Sequence, residues 1–150
     1  MALELEPAFD VVVELGTPED HGITRVGHRR VIPIVGGTIS GAVTATIVPG
    51  GADWQIIRPD GVIEIDTRCS AVSSDGEYLL LRTAGVRSGP PEVLKALMNG
   101  EVVDHASYYF RISISVETGS PGLSFLQDSL YLAAPVRDQT QVRYSAFRVR

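Results

Sequence analysis

The segment from Pro49 to Trp54 joins a chain-breaking turn to an acid and to the only tryptophan of the chain. Pro-Gly-Gly favours a turn in which glycine adopts positive φ. If this corner lines a pocket, Trp54 is a wall for a flat ligand and Asp53 is a proton acceptor, because burial beside an indole raises a carboxyl pKa. The structural alternative is that Asp53 caps the turn and Trp54 fills the interior of the fold.

Two later runs of alternating residues each place an acid and an arginine on one face of a predicted strand. Asp66 and Arg68 share a face in the first run, and Tyr109, Arg111 and Glu117 share one in the second. Arg68 could hold a carboxylate or an enolate through two hydrogen bonds, and Tyr109 with Arg111 could stabilise an oxyanion. The alternative is that both polar strips face water, with the apolar strips opposite them forming the core.

The sequence does not support a metal site, a nucleotide cofactor or a serine nucleophile. His21, His28 and His105 lie far apart and have no metal-ligand spacing. No serine lies in a nucleophile-elbow motif, and no Gly-x-Gly-x-x-Gly pattern opens a helix. We therefore expect neither a metal nor a cofactor.

Composition points to one globular domain over residues 1–150. The chain is 44% hydrophobic and 21% charged, with a net charge of −5, which argues against nucleic acid or an anionic membrane as a partner. Cys69 is the only cysteine, so no internal disulfide is possible. No signal-peptide pattern and no apolar run of membrane-spanning length is present, and we expect a cytoplasmic protein.

Period-two runs separated by turn residues dominate the chain and predict a mainly β protein. The predicted strands are Phe9–Leu15, Arg30–Val35, Gly37–Val48, Trp54–Ile57, Val62–Val72, Tyr78–Thr83, Tyr108–Glu117, Leu123–Ala133 and Gln141–Val149. Asp60-Gly61 and Asp75-Gly76 suggest two-residue hairpin turns. Prolines at the start and a glycine at the end predict one short helix at about residues 91–99. These elements favour a single antiparallel β-barrel of about eight to ten strands, with a two-sheet sandwich as the alternative.

Several motifs, in a fixed order, carry a resemblance to a known family. They are Gly36 to Gly41, Pro49 to Trp54, Arg58 to Gly61, Glu64 to Arg68, Asp75-Gly76, Pro91 to Leu94, Gly100-Glu101, Tyr108 to Arg111 and Glu117-Thr118. On these motifs nearly the whole chain resembles the domain of unknown function 3237 family. The resemblance implies a compact β-barrel with a short helix, and oligomeric relatives. Its recurring polar residues match Asp53, Asp66, Arg68, Tyr109, Arg111 and Glu117, which favours the pocket interpretation.

The chain departs from the family pattern at two places. Phe125-Leu126-Gln127 stands where the family commonly has Trp-Leu-Asn, and Thr67-Arg68-Cys69 where it commonly has Ala-Arg-Tyr. The smaller side chains Phe125 and Cys69 would either widen a pocket or repack the core.

Three functions remain open at this point. The first, slightly favoured, is a cofactor-independent acid/base enzyme of the isomerase, cyclase or lyase type, acting on a small cyclic or aromatic carbonyl compound. The second is a non-catalytic carrier or sensor of a small hydrophobic ligand, and a purely structural oligomer subunit is a weaker third option. We expect a homo-oligomer whose small-molecule site has Asp53, Tyr109 and Asp66 as catalytic residues. The expected ligand-binding residues are Trp54, Arg68, Arg111, Glu117 and Phe125.

Overall fold

Eleven strands, one α-helix and two 3₁₀ helices make up the protein in the computed structural model, which describes all of residues 1–150. The strands are β1 (Leu5–Leu15), β2 (Glu19–Thr24), β3 (Gly27–Gly41), β4 (Ala45–Ile47), β5 (Gly51–Ile57), β6 (Ile63–Ser73), β7 (Tyr78–Ser88), β8 (Tyr109–Thr118), β9 (Tyr131–Ala133), β10 (Val136–Arg137) and β11 (Gln141–Val149). The helix α1 spans Pro91–Met98, and the 3₁₀ helices span His105–Ser107 and Pro121–Gln127. The predicted mainly β class and the short helix are confirmed.

The strands close into an eight-position antiparallel barrel. The ladder runs β1-β11-β9-β8-β7-β6-β4-β3, and β1 pairs with β3 to complete the ring. β4 and β5 follow one another in the same position, since both pair with β3 on one side and β6 on the other. Because the ring is closed, the sandwich alternative is wrong.

Alternation along the strands sorts the side chains into an inner and an outer face. One end of the interior is apolar, where the rings of Phe9 and Tyr131 lie 5.3 Å apart and Leu79, Val116 and Leu126 are buried. We call this the apolar end. Three arginines, Arg30, Arg87 and Arg137, lie toward the opposite end, which we call the arginine end.

The arginine end lies beside the connection between β7 and β8. This connection contains α1, whose Leu94 and Leu97 are buried, and the first 3₁₀ helix. It leads to Tyr108, whose hydroxyl oxygen accepts the backbone N–H of Arg137 at 3.2 Å. The helix therefore contributes apolar side chains while the polar groups come from the barrel strands.

Two of the glycines that close contact between neighbouring strands requires lie on the strands that carry Asp53 and Arg87. A Cβ at Gly85 would lie 2.0 Å from the carbonyl oxygen of Arg111, and a Cβ at Gly51 would lie 2.3 Å from that of Arg68. Real Cβ atoms do not tolerate such distances, so any side chain would push β7 from β8 or β5 from β6. These contacts hold the strands that carry Asp53 and Arg87.

Several local predictions are corrected by the structure. Asp60-Gly61 and Asp75-Gly76 do not form two-residue turns, because only the glycines have positive φ. In each hairpin the glycine N–H donates to a carbonyl three residues earlier, which makes a three-residue loop with a left-handed glycine. Residues 123–127, predicted as strand, belong to a 3₁₀ helix that begins at Pro121. β2 was not predicted, since its residues do not alternate.

None of the helices is long and apolar enough to cross a membrane.

Candidate functional site

The barrel interior contains a cavity of about 50 Å³ between the apolar end and the arginine end. Most of its lining is apolar, with Ile32, Ile65, Phe110 and Ile112 among the residues that face it. Its polar lining comes from strands on several sides of the barrel and comprises Asp53, Gln55, Thr67, Thr83, Arg87, Arg137 and Tyr144. An apolar cavity with a few converging polar groups is typical of a small-molecule site.

Asp53 is the only carboxylate that lines this cavity. Its residue is 8% exposed, and it points inward from β5. Gln55 Nε2 donates to one carboxylate oxygen at 2.9 Å, and the backbone N–H of Asp66 donates to the other at 3.2 Å. No cationic nitrogen lies within 4.0 Å of it. Burial raises the pKa of Asp53, and the two hydrogen bonds only partly offset that effect.

The bond from Asp66 to Asp53 fills a break in the barrel wall. The β5–β6 pairing runs through Asp53 and Thr67, skips the next two residues of β5, and resumes at Ile56 and Glu64. The Asp53 carboxylate accepts a backbone donor of β6 inside this break. The carboxylate is thereby held in one orientation by the wall itself.

Arg87 is the most buried charged side chain of the protein, at 2% exposed. It points inward near the end of β7, and its guanidinium lies 5.4 Å from the centre of the Phe110 ring. Its Nε has no hydrogen-bond partner, and no carboxylate oxygen lies within 4.0 Å of its nitrogens. Burial, with a smaller contribution from Arg137, lowers the pKa of Arg87 to about 10, so the side chain remains a cation at neutral pH.

Two further arginines lie close to Arg87. Arg137 lines the cavity, and burial and the charge of Arg30 lower its pKa. Arg30 is 8% exposed, and its charge also lowers the pKa of Arg87. Two cations, Arg87 and Arg137, thus line the cavity with one buried carboxylate, Asp53, without a direct ion pair to it, and Arg30 lies near both arginines.

The remaining polar groups of the cavity are neutral. The hydroxyls of Thr67 and Thr83 are hydrogen-bonded to each other across β6 and β7. Burial raises the pKa of Tyr144 far above its ordinary value and raises that of the Cys69 thiol to about 11. Tyr144 and Cys69 therefore keep their protons, and Tyr144 faces the cavity as a potential hydrogen-bond donor.

Gln55 has unused bonding capacity at the site. Its Nε2 binds Asp53, but its Oε1 is buried without a partner. A buried polar atom without a partner costs free energy, so a ligand that donates to it gains an interaction that water does not already supply. No three His, Cys, Asp or Glu side chains come together as a metal-binding group.

The structure places five of the predicted site residues on the outer face of the barrel. Asp66, Arg68, Tyr109, Arg111 and Glu117 are all exposed, Tyr109 to 50%, and none lines the cavity. Their prediction as interior pocket residues is wrong, because the apolar residues between them fill the inside of β6 and β8. The strips of polar residues face water, which was the alternative interpretation of the sequence.

Trp54 and Phe125 also lie away from the cavity. Trp54 is 37% exposed and lies on the outside near Arg68 and Tyr78, while Phe125 is 49% exposed in the second 3₁₀ helix. Neighbouring residues of a strand point to opposite faces, so Asp53 and Trp54 cannot both line one pocket. Of the predicted site residues, only Asp53 lies in the cavity.

Sequence reasoning missed most of the residues that join Asp53 in the cavity. Gln55 lies two residues after Asp53 and shares its face, which alternation alone would have shown. Arg87 continues the inward series Leu79, Leu81 and Thr83, but the predicted strand ended at Thr83 and so excluded it. Arg137 lies in a two-residue strand just after Pro135, which leaves no periodic signal.

Nearly the whole chain matches one known family. Residues 3–149 match the family described as protein of unknown function (DUF3237). The chain belongs to this family. A UPF0311 protein of Rhodopseudomonas palustris is 35% identical over 141 residues, which is 93% of this chain and 92% of that protein. A UPF0311 protein of Clostridium acetobutylicum is 34% identical over 149 residues, 98% of this chain and 94% of that one.

Solved structures have the same barrel as this DUF3237 chain. The crystal structure of the R. palustris protein has a TM-score of 0.94 at 33% identity, covering 100% of this chain and 99% of that one. A β-barrel-like protein from Acinetobacter baumannii has a TM-score of 0.85 at 37% identity, covering 100% and 98%. A protein described as an enzyme from Penicillium herquei has a TM-score of 0.70 at 15% identity, covering 97% and 96%, and shares the fold.

Proposed function

We propose that this DUF3237 protein is a cofactor-independent acid/base enzyme that removes a proton next to the carbonyl group of a small compound. The observation that carries the proposal is the pairing of a buried carboxylate, Asp53, with a buried and unpartnered cation, Arg87, in one cavity. Such groups suit the two ends of an enolisation: a base for the proton and a cation for the oxygen.

The proposed step balances without any further reactant. The carboxylate of Asp53 takes a proton from the carbon beside the carbonyl, and the C–H bond breaks. Its electron pair forms the C=C bond, and the carbonyl π pair moves to the oxygen, which becomes an enolate stabilised by Arg87. Return of the proton to another atom gives isomerisation, and loss of a leaving group gives elimination.

The surroundings of Asp53 support its role as the base. A general base works best when its pKa lies near the operating pH, and burial raises the pKa of Asp53 from its ordinary value toward that range. The bonds from Gln55 and from the Asp66 backbone fix the carboxylate.

Exchange of carbon-bound hydrogen for deuterium tests the proposal. Small ketones and oxo acids are incubated with the protein in D₂O, and loss of the proton signal beside the carbonyl is followed by NMR. We expect exchange above the buffer rate with the native protein and its loss in Asp53→Asn. Asp66→Asn is the matched control on the outer face and should exchange like the native protein.

The carrier function is the other outcome of the same experiment. It predicts no exchange with any compound, together with saturable binding that survives Asp53→Asn. Exchange that is equally fast in the native protein and Asp53→Asn would contradict the proposed role of Asp53.

A further inference from the structure

The three arginines of the arginine end exceed what one enolate oxygen requires. The charges of Arg137 and Arg30 both lower the pKa of Arg87, the charge of Arg30 also lowers that of Arg137, and Asp53 is the only carboxylate that lines the cavity. Cations withdrawn from water without a contacting carboxylate are costly, and one oxyanion on Arg87 would leave Arg30 and the half-buried Arg137 without one. We therefore expect the ligand to carry a second negative group.

Arg137 is positioned to bind that second group. Its Nη1 donates to the backbone carbonyl oxygens of Asp138 at 2.6 Å and of Gln139 at 3.5 Å, which anchors the guanidinium. No carboxylate lies within 4.0 Å of it, and its side chain lines the cavity. An anchored guanidinium with free N–H donors matches the geometry of a carboxylate.

Arg30 adds charge beside this pair without lining the cavity itself. Arg30 lies on β3, and in the strand register it is opposite Gln55 of β5 on one side and opposite Asp20 of β2 on the other. The Asp20 carboxylate is exposed and hydrogen-bonded to His28 at 2.7 Å, so it does not neutralise Arg30 by contact. Arg30 therefore raises the positive potential at the rim of the cavity.

The size of the cavity limits the ligand to a compact molecule. A volume of about 50 Å³ corresponds to room for about three to five water molecules. The carbonyl and the second negative group must then lie on the same or on neighbouring carbons. This excludes long dicarboxylates and ring systems unless the arginines move.

We propose that the substrate is a short oxo acid, with its carbonyl oxygen bound by Arg87 and its carboxylate bound by Arg137, next to Arg30. This inference rests on the proposed function and names the substrate class of the same site. In the enolate state Asp53 has taken up the proton and such a substrate carries two negative charges, which reduce the surplus from three positive charges to one.

The experiment compares pyruvate, a short oxo acid, with acetone, a neutral ketone of similar size. Each exchange rate is divided by the buffer-catalysed rate of the same compound, which removes the difference in their acidity. We expect the native protein to favour pyruvate at least tenfold. Arg137→Met should bring that preference close to one, and Arg137→Lys should restore part of it.

Inhibition by small anions gives a second readout of the same site. Oxalate is a planar dianion that resembles the enolate of a short oxo acid, and acetate is the matched monoanion. Oxalate should inhibit at least tenfold more tightly than acetate in the native protein, and Arg137→Met should remove that difference. Arg30→Met should reduce it about threefold, and Arg111→Met on the outer face should leave it unchanged.

The outcomes separate the two proposals. Acetone exchange that depends on Asp53, with no preference for pyruvate or oxalate, would overturn the oxo-acid assignment and leave the proposed function standing. A pyruvate preference unaffected by Arg137→Met, in a variant whose NMR spectrum shows the native fold, would also overturn it. Absence of exchange with every compound would overturn both.

Discussion

The inner and outer faces of the barrel wall carry the same residue types in opposite surroundings. Inside, Asp53 and Arg87 are almost completely buried, and no ion pair joins them. Outside, Asp66 and Arg68 are exposed on β6. Water satisfies the outer charges, whereas the inner ones keep unused bonding capacity at high cost. Burial without a partner, rather than the presence of an acid and an arginine, therefore marks the site.

The largest effect on deuterium exchange should be the difference between substitutions of Asp53 and of Asp66. Asp53→Asn should reduce deuterium exchange by about 10²- to 10⁴-fold, the usual contribution of a general base. Asp66→Asn should leave the exchange rate within twofold, because its side chain faces water. Initial exchange rates measured by NMR under identical conditions check both variants. Equal losses of exchange rate in Asp53→Asn and Asp66→Asn would contradict a functional difference between the inner and outer faces.

Arg87 on the inner face and Arg68 on the outer face should differ in the same way. Arg87→Met should lower exchange by about 10²- to 10³-fold, as expected when a donor to a developing oxyanion is removed. It should also raise the free energy of unfolding by about 1–4 kcal/mol, because an unpaired buried cation is replaced by an apolar side chain. Arg68→Met should change neither quantity appreciably. Denaturant unfolding and exchange kinetics of both variants test this, and a destabilised Arg87→Met would contradict it.

The pH dependence of stability should distinguish Asp53 from Arg87 within the interior. The pKa of Asp53 is raised in the folded protein, so its stabilising contribution is complete below the ordinary value of 3.8 and is lost as pH rises through the folded pKa. The stability gained by Asp53→Asn should therefore grow with pH above 3.8, by at most about 1.4 kcal/mol per pH unit.

Arg87 supplies the contrast for that measurement. Its pKa of about 10 keeps it protonated in both the folded and the unfolded states throughout pH 4–8. The charge of Arg87 lowers the pKa of Asp53, so Arg87→Met should raise that pKa further, and the stability gained by Arg87→Met should stay constant or fall as pH rises rather than grow. Urea unfolding at several pH values measures both curves, and parallel curves for the two variants would refute the raised pKa of Asp53.

The smallest effects are expected for the outer aromatic residues. Trp54→Ala, Tyr109→Ala and Phe125→Ala should each leave exchange within twofold, since none of these side chains faces the cavity. Their partial exposure should limit the loss of stability to about 1 kcal/mol or less. A tenfold loss of exchange in any of them, with the fold intact, would reopen the outer face as a site.

The fold was predictable because its signals are local. Alternation and turn residues located most of the long strands, and the bounds of β11 agree with the prediction at both ends. The 3₁₀ helix at Pro121–Gln127 was not predictable in this way, because Leu123 and Phe125 also fit a strand pattern. The type of loop at Asp60-Gly61 was missed because the same dipeptide serves two- and three-residue hairpins.

The site was only partly predictable because the inward face of a strand is decided by the whole barrel. Alternation grouped Tyr109 with Arg111 correctly, but it could not say that their opposite face, with Phe110, forms the core. For Asp53 and Trp54, alternation alone predicts that only one of the two side chains faces the interior, since adjacent residues of a strand face opposite ways. Arg87 and Arg137 are brought to Asp53 by strand pairing across the barrel, which no spacing in the sequence reveals.

Arg87 is a buried cation without a carboxylate partner, and the proposed function requires it to bind a negatively charged ligand oxygen. Arginine side-chain NMR tests this most directly, with the Arg87 Nε–H signal assigned by its absence in Arg87→Met and followed during titration with oxalate. Because this Nε has no partner in the free protein, we predict a saturable shift of its signal and unchanged signals for Arg68 and Arg111. A fixed Arg87 signal, or an equal shift of all three arginines, would contradict the account.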